Sequence, residues 1–233
     1  MERNEERTER LRENGEPDWR TRATAWELLA FAFRYPGPEL AEAAASGEWA
    51  DAAREVAEAL ALGLPEGWGE GLAGYGGRGA GELLHALRAE ATRLFVGAPE
   101  PAVSPYEGVW RADDDGVQAL LFVNPHSMEV ERFMKSCGVG RPEGTNEPLD
   151  RADAELEFLQ YLCMLEAGIA EAPEGVGVPG DGWAGAHARF LEEHALAWMP
   201  RFAGKTASES REPFYRAAGE LLAEVLGNSS VSS

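Results

Sequence analysis

Apolar residues near the N-terminus repeat at the spacing of an α-helix. Steps of four and three residues alternate between them, which places all five on one helical face: Trp19, Ala23, Trp26, Ala30 and Phe33. Asp18 stands where an N-cap is expected, and the two prolines of Tyr35–Pro38 end the repeat. The pattern therefore predicts a helix over residues 19–33 with one buried face.

Six more segments carry a helical pattern, and glycine or proline separates them. In chain order they are Glu48–Leu62, Ala80–Phe95, Pro125–Cys137, a segment that starts at Asp150 and buries Leu156 and Leu159, Asp181–Met199 and Arg211–Leu226. Gly63–Gly79 holds eight glycines in seventeen residues, and each interior glycine costs a helix about 1 kcal/mol relative to alanine. We interpret this segment and Gly168–Gly180 as loops. Pro99, Pro101 and Pro105 predict an extended passage.

The order of these elements predicts the fold class. Seven or eight helices with almost no alternation of period two indicate an all-α protein. The loops are too short to separate two cores, so we expect one globular bundle of about seven to nine helices over residues 18–226. The charged residues 1–17 and the polar residues 227–233 are predicted to be flexible tails.

Charge and hydropathy argue against two classes of partner. The chain has 21 Lys and Arg against 41 Asp and Glu, which gives a net charge of −20. Such a field repels phosphate backbones and anionic lipids, so we expect no nucleic-acid partner. The longest apolar runs, Trp26–Phe33 and Val117–Val123, are far shorter than the roughly 18 residues of a spanning helix, so we expect no stable membrane insertion. Because the first ten residues lack the apolar core of a signal peptide, we expect a cytoplasmic protein.

The sequence contains no recognisable motif for catalysis, a cofactor or a metal. It has no Gly-x-Ser-x-Gly elbow, no Walker-type phosphate loop and no dinucleotide fingerprint. The four histidines share no ligand spacing, and Asp113–Gly116 lacks the alternation of a calcium loop. Cys137 and Cys163 form no Cys-x-x-Cys pair. We therefore expect no catalysis, no cofactor and no metal, with both thiols packed as small apolar groups.

Three segments carry a resemblance to a known family. They are Leu94–Gly97 (LFVG) with Ser104–Trp110 (SPYEGVW), Asn146–Arg151 (NEPLDR) leading into Glu155–Leu159, and Phe190–His194 with Trp198 and Pro213–Leu221. In order and spacing they resemble the TorD/DmsD family of cytoplasmic chaperones for molybdenum oxidoreductases. The resemblance implies an all-helical protein that binds the cofactor-free catalytic subunit of a molybdopterin oxidoreductase, often through its twin-arginine signal peptide. The chaperone then assists cofactor insertion before export or assembly.

The resemblance also implies a client-binding motif. The family's Glu-Pro-x-Asp-His pattern maps onto Glu147, Pro148 and Asp150, with Arg151 in place of the histidine. Carboxylates pair with arginine in two-point geometry, so Glu147 and Asp150 suit a twin-arginine leader. The structural alternative is that Asp150 is only an N-cap and Pro148 only a rigid entry to the helix. Arg151 is expected to pair with a nearby acid, either Glu147 or Glu155.

The second predicted part of the binding surface is the segment around Tyr106. Tyr106, Glu107 and Trp110 match the family's Pro-Tyr-Glu-Ser-like segment, in which Gly108 replaces the small polar residue. The aromatic rings suit the walls of a groove, although in an extended segment they suit a core equally well. We expect four residues to border one groove: Tyr106, Trp110, Glu147 and Asp150.

Other interpretations of the function stay open. A NarJ-like assembly chaperone would recognise its client without a leader peptide. An enzyme or nucleotide-dependent factor could also use a helical scaffold, although no base–nucleophile pair and no phosphate loop supports it. Co-purification with a molybdoenzyme subunit would favour a chaperone, and turnover of a small substrate by the pure protein would favour an enzyme. We expect a monomer, with a domain-swapped dimer as the alternative.

Overall fold

Ten α-helices, joined by turns and loops, build the described part of the chain. In this computed structural model the described residues are 18–116, 124–141, 144 and 147–231. The helices are α1 (Trp19–Phe33), α2 (Pro38–Ser46), α3 (Glu48–Ala59), α4 (Ala80–Ala91), α5 (Glu107–Asp114), α6 (Pro125–Ser136), α7 (Ala152–Glu166), α8 (Gly182–Phe190), α9 (Leu196–Glu209) and α10 (Pro213–Val231). A 3₁₀ helix, Leu72–Gly77, precedes α4, and π turns follow α4 (Thr92–Val96) and α8 (Leu191–Ala195).

The prediction of an all-α fold is confirmed. Strand-like pairing in the described residues is limited to one isolated bridge, between Tyr106 and Arg151. The first helix has the predicted bounds, and the carboxylate of Asp18 accepts hydrogen bonds from the backbone N–H groups of Arg20 (3.2 Å) and Thr21 (3.4 Å). The predicted N-cap therefore satisfies backbone donors that the first turn leaves unpaired.

The core is centred on α1 and α7, which make the most extensive helix–helix contact. Leu29 of α1 and Leu156 and Leu159 of α7 are completely buried. Trp26, Phe33 and Leu94 belong to the same core, as their helical spacing predicts. Phe95, predicted with them, is only half-buried and packs against the core from its edge.

The contact between α9 and α10 depends on a close approach of two backbones. A Cβ atom at Gly219 of α10 would lie 2.8 Å from the carbonyl oxygen of Ala203 and 2.9 Å from the amide nitrogen of Ala207. Real Cβ atoms do not approach backbone atoms so closely. Gly219 is therefore required here for packing, because α9 and α10 would otherwise have to move apart.

Two short helices lie where the sequence predicts none. α2 begins at Pro38, which is favourable in a first helical turn. α5 follows the proline passage, so Tyr106 and Trp110 do not share one extended segment: Tyr106 is the N-cap of α5, and Trp110 lies within the helix. Gly108 and the aspartates of α5 have low helix propensity, so tertiary contacts have to stabilise this helix.

Two helix ends also differ from the prediction. α9 continues through Pro200 to Glu209, because Phe202 and Thr206 beyond the proline are buried and hold the chain in the core. α10 extends to Val231, whereas residues 227–233 were expected to be a tail. Asn228 donates to the carbonyl oxygen of Leu60 (3.3 Å), so tertiary contact supports the added turn.

Some predictions concern residues outside the described part of the chain. The charged tail over residues 1–17, the apolar run Val117–Val123 and the last two residues belong to this group. Among the helices that the structure describes, none combines the length and the apolar character needed to cross a membrane.

The approach of α9 and α10 yields a paired prediction for stability. Gly219→Ala should lower the free energy of unfolding by about 1–3 kcal/mol, because the added methyl group overpacks against backbone atoms. Gly204→Ala, on α9 with open space around its Cβ position, should instead be neutral or stabilise by up to about 1 kcal/mol. Urea unfolding followed by circular dichroism measures both. Equal effects of the two substitutions would contradict the close approach.

Candidate functional site

A groove runs between the end of α4 and the short helix α5. It has a volume of about 730 Å³, and we call it the Trp110 groove. Its apolar walls are Phe95, Val96, Tyr106, Val109 and Trp110, and its rim carries Glu100, Asp113 and Lys205. Val96 is 62% exposed, which is unusual for a large aliphatic side chain. The groove therefore offers apolar surface to solvent beside charged groups.

The first wall of the Trp110 groove is built by a π turn and a folded-back loop. In the turn Thr92–Val96, the N–H of Gly97 donates to the carbonyl oxygen of Thr92 (2.7 Å). The N–H of Val103 then donates to the carbonyl oxygen of Leu94 (2.8 Å), which returns the proline loop onto the helix end. A Cβ at Gly97 would lie 2.9 Å from the carbonyl oxygen of Glu100, so glycine is required for this return. The π turn thus presents Phe95 and Val96 at the groove.

The opposite wall is the indole ring of Trp110, which is held from two sides. Its Nε1–H donates to the carbonyl oxygen of Ser104 (2.8 Å). The guanidinium of Arg201 and the ammonium of Lys205 lie over the ring, 5.4 Å and 5.7 Å from its centroid. Arg201 also forms a two-point ion pair with Asp114 (2.7 Å for both bonds), which ties α5 to α9. The ring is therefore a fixed wall of the groove.

The acidic groups on the rim form no direct ion pair with a cation of the described residues, although Asp113 lies within the electrostatic reach of Arg201. Within the described residues, neither Glu100 nor Asp113 forms an ion pair, and both side chains are exposed. Most other groove-lining acids have an arginine partner, as Glu147 and Asp153 do with Arg151. Glu100 and Asp113 are thus the carboxylates that remain available to a cationic ligand.

Two further hollows continue from the Trp110 groove: the first shares Phe95, Val96 and Tyr106 with it, and the second shares Arg34, Arg151 and Asp153 with the first. A narrow pocket of about 80 Å³, the Arg151 pocket, lies between Phe33, Phe95, Tyr106 and Arg151. Beyond it is the Glu147 groove, of about 580 Å³, which Glu147, Pro148, Arg151 and Phe158 line. Together the three form one band across the surface, with Arg151 at its centre.

The structure places five of the seven predicted binding residues on this band. Tyr106 and Trp110 line the Trp110 groove, and Arg151 lines the pocket at its end. Glu147 and Pro148 line the adjoining Glu147 groove. The backbone brings the two motifs together: the N–H of Glu107 donates to the carbonyl oxygen of Asp150, and the N–H of Ala152 to that of Pro105 (2.9 Å each).

Asp150 does not border a groove, which corrects the prediction for this residue. Its side chain is 1% exposed and lies beneath α5. It is not the N-cap of α7 either, because Arg151 holds that position. Its Oδ2 accepts hydrogen bonds from the N–H of Gly108 (2.9 Å) and from the hydroxyl of Ser127 (2.6 Å). Asp150 thus satisfies a donor at the N-terminus of α5 and joins α5 to α6 and α7.

Arg151 is engaged mainly by a neighbour on its own helix. It forms a two-point ion pair with Asp153 (2.6 Å for both bonds) and a further contact with Glu147 (3.1 Å). Of the two partners expected from the sequence, the structure selects Glu147, and Glu155 lies elsewhere in a buried cluster. Burial lowers the pKa of Arg151, but the hydrogen bonds to Asp153 outweigh it and raise the pKa above its ordinary value.

Glu107, also predicted as a binding residue, is completely buried and belongs to a cluster of carboxyl groups under the groove. Its Oε1 accepts from Arg111 (3.1 Å) and contacts Nδ1 of His194 (3.3 Å). Glu155 of α7 is also fully buried, and its Oε2 accepts from the indole N–H of Trp198 (3.2 Å). Burial raises the pKa of Asp150, although its hydrogen bonds oppose the shift. We call Glu107, Asp150 and Glu155 the buried carboxyl cluster.

The buried carboxyl cluster explains why glycine stands at position 108. A Cβ there would lie 2.5 Å from Oγ of Ser127 and 2.9 Å from Oδ2 of Asp150. The amide of Asn124 closes the third side by donating to the carbonyl oxygen of Gly108 (2.6 Å). Gly108 stands where the family has a small polar residue, and here the side chains of Ser127 and Asp150 occupy the space that such a residue would need.

His126, His187 and His194 have structural partners, and both cysteines are buried. His187 accepts a hydrogen bond from the indole of Trp26 (3.2 Å), and burial lowers its pKa to about 3. Cys137 and Cys163 are buried free thiols, and burial raises the pKa of Cys163 to about 12. In the described segments, no group of three or more His, Cys, Asp or Glu side chains is arranged to hold a metal ion.

Comparison with known proteins shows the family of the chain. The family model described as nitrate reductase delta subunit matches residues 41–204. The chain is 26% identical over 136 residues to the chaperone protein TorD of Vibrio cholerae serotype O1 (strain M66-2), covering 58% of this chain and 56% of that protein. It is 31% identical over 146 residues to the selenate reductase assembly chaperone protein of Thauera selenatis, covering 62% and 69%. For the chlorate reductase assembly chaperone protein of Ideonella dechloratans, it is 30% identical over 141 residues, covering 60% and 66%. The chain thus spans little more than half the length of the TorD protein.

The position of Asp150 predicts a structural effect of its removal. Asp150→Ala leaves the buried N–H of Gly108 and the hydroxyl of Ser127 without an acceptor, at a cost of about 1–3 kcal/mol for each unsatisfied group. Glu147→Ala, which removes an exposed partner of Arg151, should change stability by less than about 0.5 kcal/mol. Urea unfolding compares the two. A stable Asp150→Ala protein would show that Asp150 does not hold α5.

Proposed function

The chain belongs to the nitrate reductase delta subunit family, and on that premise we propose that it is a system-specific chaperone for the catalytic subunit of a molybdopterin oxidoreductase. It binds the cofactor-free subunit through a twin-arginine signal peptide and assists cofactor insertion before export or assembly. The names of three relatives, a TorD chaperone and two reductase assembly chaperones, support this class. We propose that it acts in the cytoplasm as a monomer and without catalysis.

The observation that carries the proposal is the chemistry of the Trp110 groove. A twin-arginine leader presents two guanidinium groups beside an apolar stretch. The groove presents apolar walls, formed by Phe95, Val96 and Trp110, beside the exposed carboxylates of Glu100 and Asp113. Arginine pairs with carboxylates in charge-assisted, two-point geometry, and the apolar stretch gains from leaving water. Each part of the leader therefore has a complementary part of the groove.

The structure shifts the proposed arginine contacts away from the motif predicted from the sequence. Asp150 is buried and bonded to α5, and Glu147 is paired with Arg151. Glu100 and Asp113 take their place as the proposed partners of the leader's arginines. The Arg151 pocket and the Glu147 groove continue the band, and we propose that Glu147, Pro148 and Arg151 contact the client beyond its arginine pair.

The charges on the rim yield a direct test with a synthetic leader, a peptide with an Arg-Arg pair followed by an apolar stretch. The double variant Glu100→Lys/Asp113→Lys should bind it about tenfold more weakly, because each lost exposed ion pair contributes about 0.2–1 kcal/mol and the new lysines repel the arginines. Isothermal calorimetry at constant salt measures the affinity.

The matched control for this test is the double variant Glu55→Lys/Glu58→Lys, at two exposed sites on α3. It makes the same kind of charge change away from the groove and should leave the affinity within about twofold of the unsubstituted protein. Circular dichroism confirms that each variant is folded. Equal losses in this control and in Glu100→Lys/Asp113→Lys would show that only the general acidity of the protein attracts the peptide.

Salt dependence separates specific recognition from this general acidity. At a net charge of −20, any basic peptide should bind weakly at low salt. Surface attraction is screened over about 8 Å at physiological ionic strength, whereas an apolar stretch buried in the groove is not. The leader should therefore stay bound at physiological salt, and a scrambled peptide of equal charge should lose most of its affinity. If both are lost in parallel, recognition of the client without a leader, as in NarJ-like chaperones, becomes the better proposal.

A further inference from the structure

The Arg151 pocket has a buried base and an apolar mouth. Its base consists of residues that are at most 2% exposed, Ala91, Ala152 and Phe202. Its mouth carries Tyr35 and Val96, whose side chains are 57% and 62% exposed. Large apolar side chains with this exposure are few among the described residues. Two of them beside one pocket indicate a surface that an apolar group covers on binding.

The walls of the pocket are held by contacts within the protein. The ring of Phe33 lies 5.1 Å from that of Phe202 and 6.1 Å from that of Phe95, and both contacts are edge-to-face. On another side, the N–H of Ala152 donates to the carbonyl oxygen of Pro105 (2.9 Å). A ligand therefore enters a cavity that already exists, and little binding energy is spent on ordering its walls.

The charged residues that line the pocket are already paired. Arg151 forms its two-point ion pair with Asp153 (2.6 Å for both bonds) and also contacts Glu147 (3.1 Å). The third charged lining residue, Arg34, is paired with Glu157 (2.5 Å). An arginine whose charge is satisfied in this way can line an apolar site with its carbon stem. The pocket is therefore complementary to an uncharged, apolar group.

The volume of the pocket decides which apolar group fits. It is about 80 Å³, which is more than twice the roughly 30 Å³ that one water molecule occupies in the liquid. It is also little more than half of the roughly 150 Å³ of an engineered protein cavity that binds benzene. A phenyl ring is thus too large to enter completely, whereas a branched aliphatic side chain has the right size.

We propose that the Arg151 pocket binds one leucine-sized aliphatic side chain from the apolar stretch of the client's leader. The inference rests on the proposed function, because the pocket shares Phe95, Val96 and Tyr106 with the Trp110 groove. A leader whose arginine pair lies at the acidic rim of that groove continues past these shared walls to the pocket. The pocket thereby fixes the register of the leader, and affinity depends on which position carries the branched side chain.

A series of synthetic leaders tests this register. Each peptide has an Arg-Arg pair followed by a stretch of alanines, in which a single leucine is moved through successive positions. Leucine at one position should raise the affinity about tenfold over the all-alanine peptide, because burial of a large aliphatic side chain contributes at least this factor. Phenylalanine at that position should bind more weakly than leucine. Isothermal calorimetry at physiological salt measures each affinity.

A variant that fills the pocket identifies the contact. Ala91→Leu adds an isopropyl group at the base, so the preferred leucine peptide should lose its advantage over the all-alanine peptide. The matched control is Ala59→Leu, at an exposed site on α3, which should keep the full advantage. The two changes, one in the protein and one in the peptide, form a double-mutant cycle that isolates the contact between them. Circular dichroism confirms that each variant is folded.

NMR of the complex gives a readout that needs no variant. With carbon-13 in the methyl groups of the preferred leucine, nuclear Overhauser contacts should connect it to the methyl groups of Ala91 and Ala152, which lie at the base of the pocket. Contacts to Val109 and Trp110 alone would place the leucine in the Trp110 groove and overturn the inference.

The remaining outcomes separate this inference from the proposed function. Equal affinity for leucine at every position, tighter binding of phenylalanine, or an advantage that persists in Ala91→Leu would each overturn the pocket while leader binding stands. If the unsubstituted protein binds none of the leader peptides, the proposed function fails instead.

Discussion

The carboxylate of Asp150, buried where three helices meet, is the group on which the arrangement of the groove depends. It accepts the N–H of Gly108 in the first turn of α5 and the hydroxyl of Ser127 in α6, and it directly precedes the entry to α7. Next to it, two backbone hydrogen bonds join the segments around Tyr106 and Arg151. A helix as short as α5 is marginal alone, so these contacts fix its position. The position of α5 in turn sets the distance between Trp110 and the π turn that carries Phe95.

The helices could be predicted from the sequence where one physical signal dominates. α1, α6 and α7 have clear apolar faces together with an N-cap, a proline or a stop signal at their ends. α5 has no such face, because its main inward group is the carboxyl of Glu107, which contacts Arg111 and His194 in the folded protein. The continuation of α9 beyond Pro200 was not predicted, because the burial of the residues after the proline outweighs the proline's local effect on the helix.

For the functional site, the sequence predicted which segments are involved but not which of their side chains are exposed. The motifs identified the two segments that meet at the groove, and the family resemblance that they carry is confirmed by the family model and the TorD relatives. They did not separate buried carboxyl groups from exposed ones. Asp150 and Glu107 hold α5 from beneath, whereas Glu100 and Asp113, in a proline loop and at a helix end, are the exposed carboxylates on the rim. Arginine partners that are distant in sequence, such as Arg34 for Glu157 and Arg201 for Asp114, become visible only in the fold, whereas the pair of Arg151 with Glu147 was expected from its spacing.

This face of the molecule has two layers: a buried carboxyl cluster that holds α5 in place, and an exposed apolar groove with acidic residues on its rim, which is the proposed contact surface for the client. Photo-cross-linking tests the second layer most directly. A twin-arginine leader with a benzophenone side chain in its apolar stretch is bound, irradiated and analysed by mass spectrometry. The account predicts adducts at residues 95–110, on the π turn and α5. Adducts confined to α2 and α3, away from the groove, would contradict it.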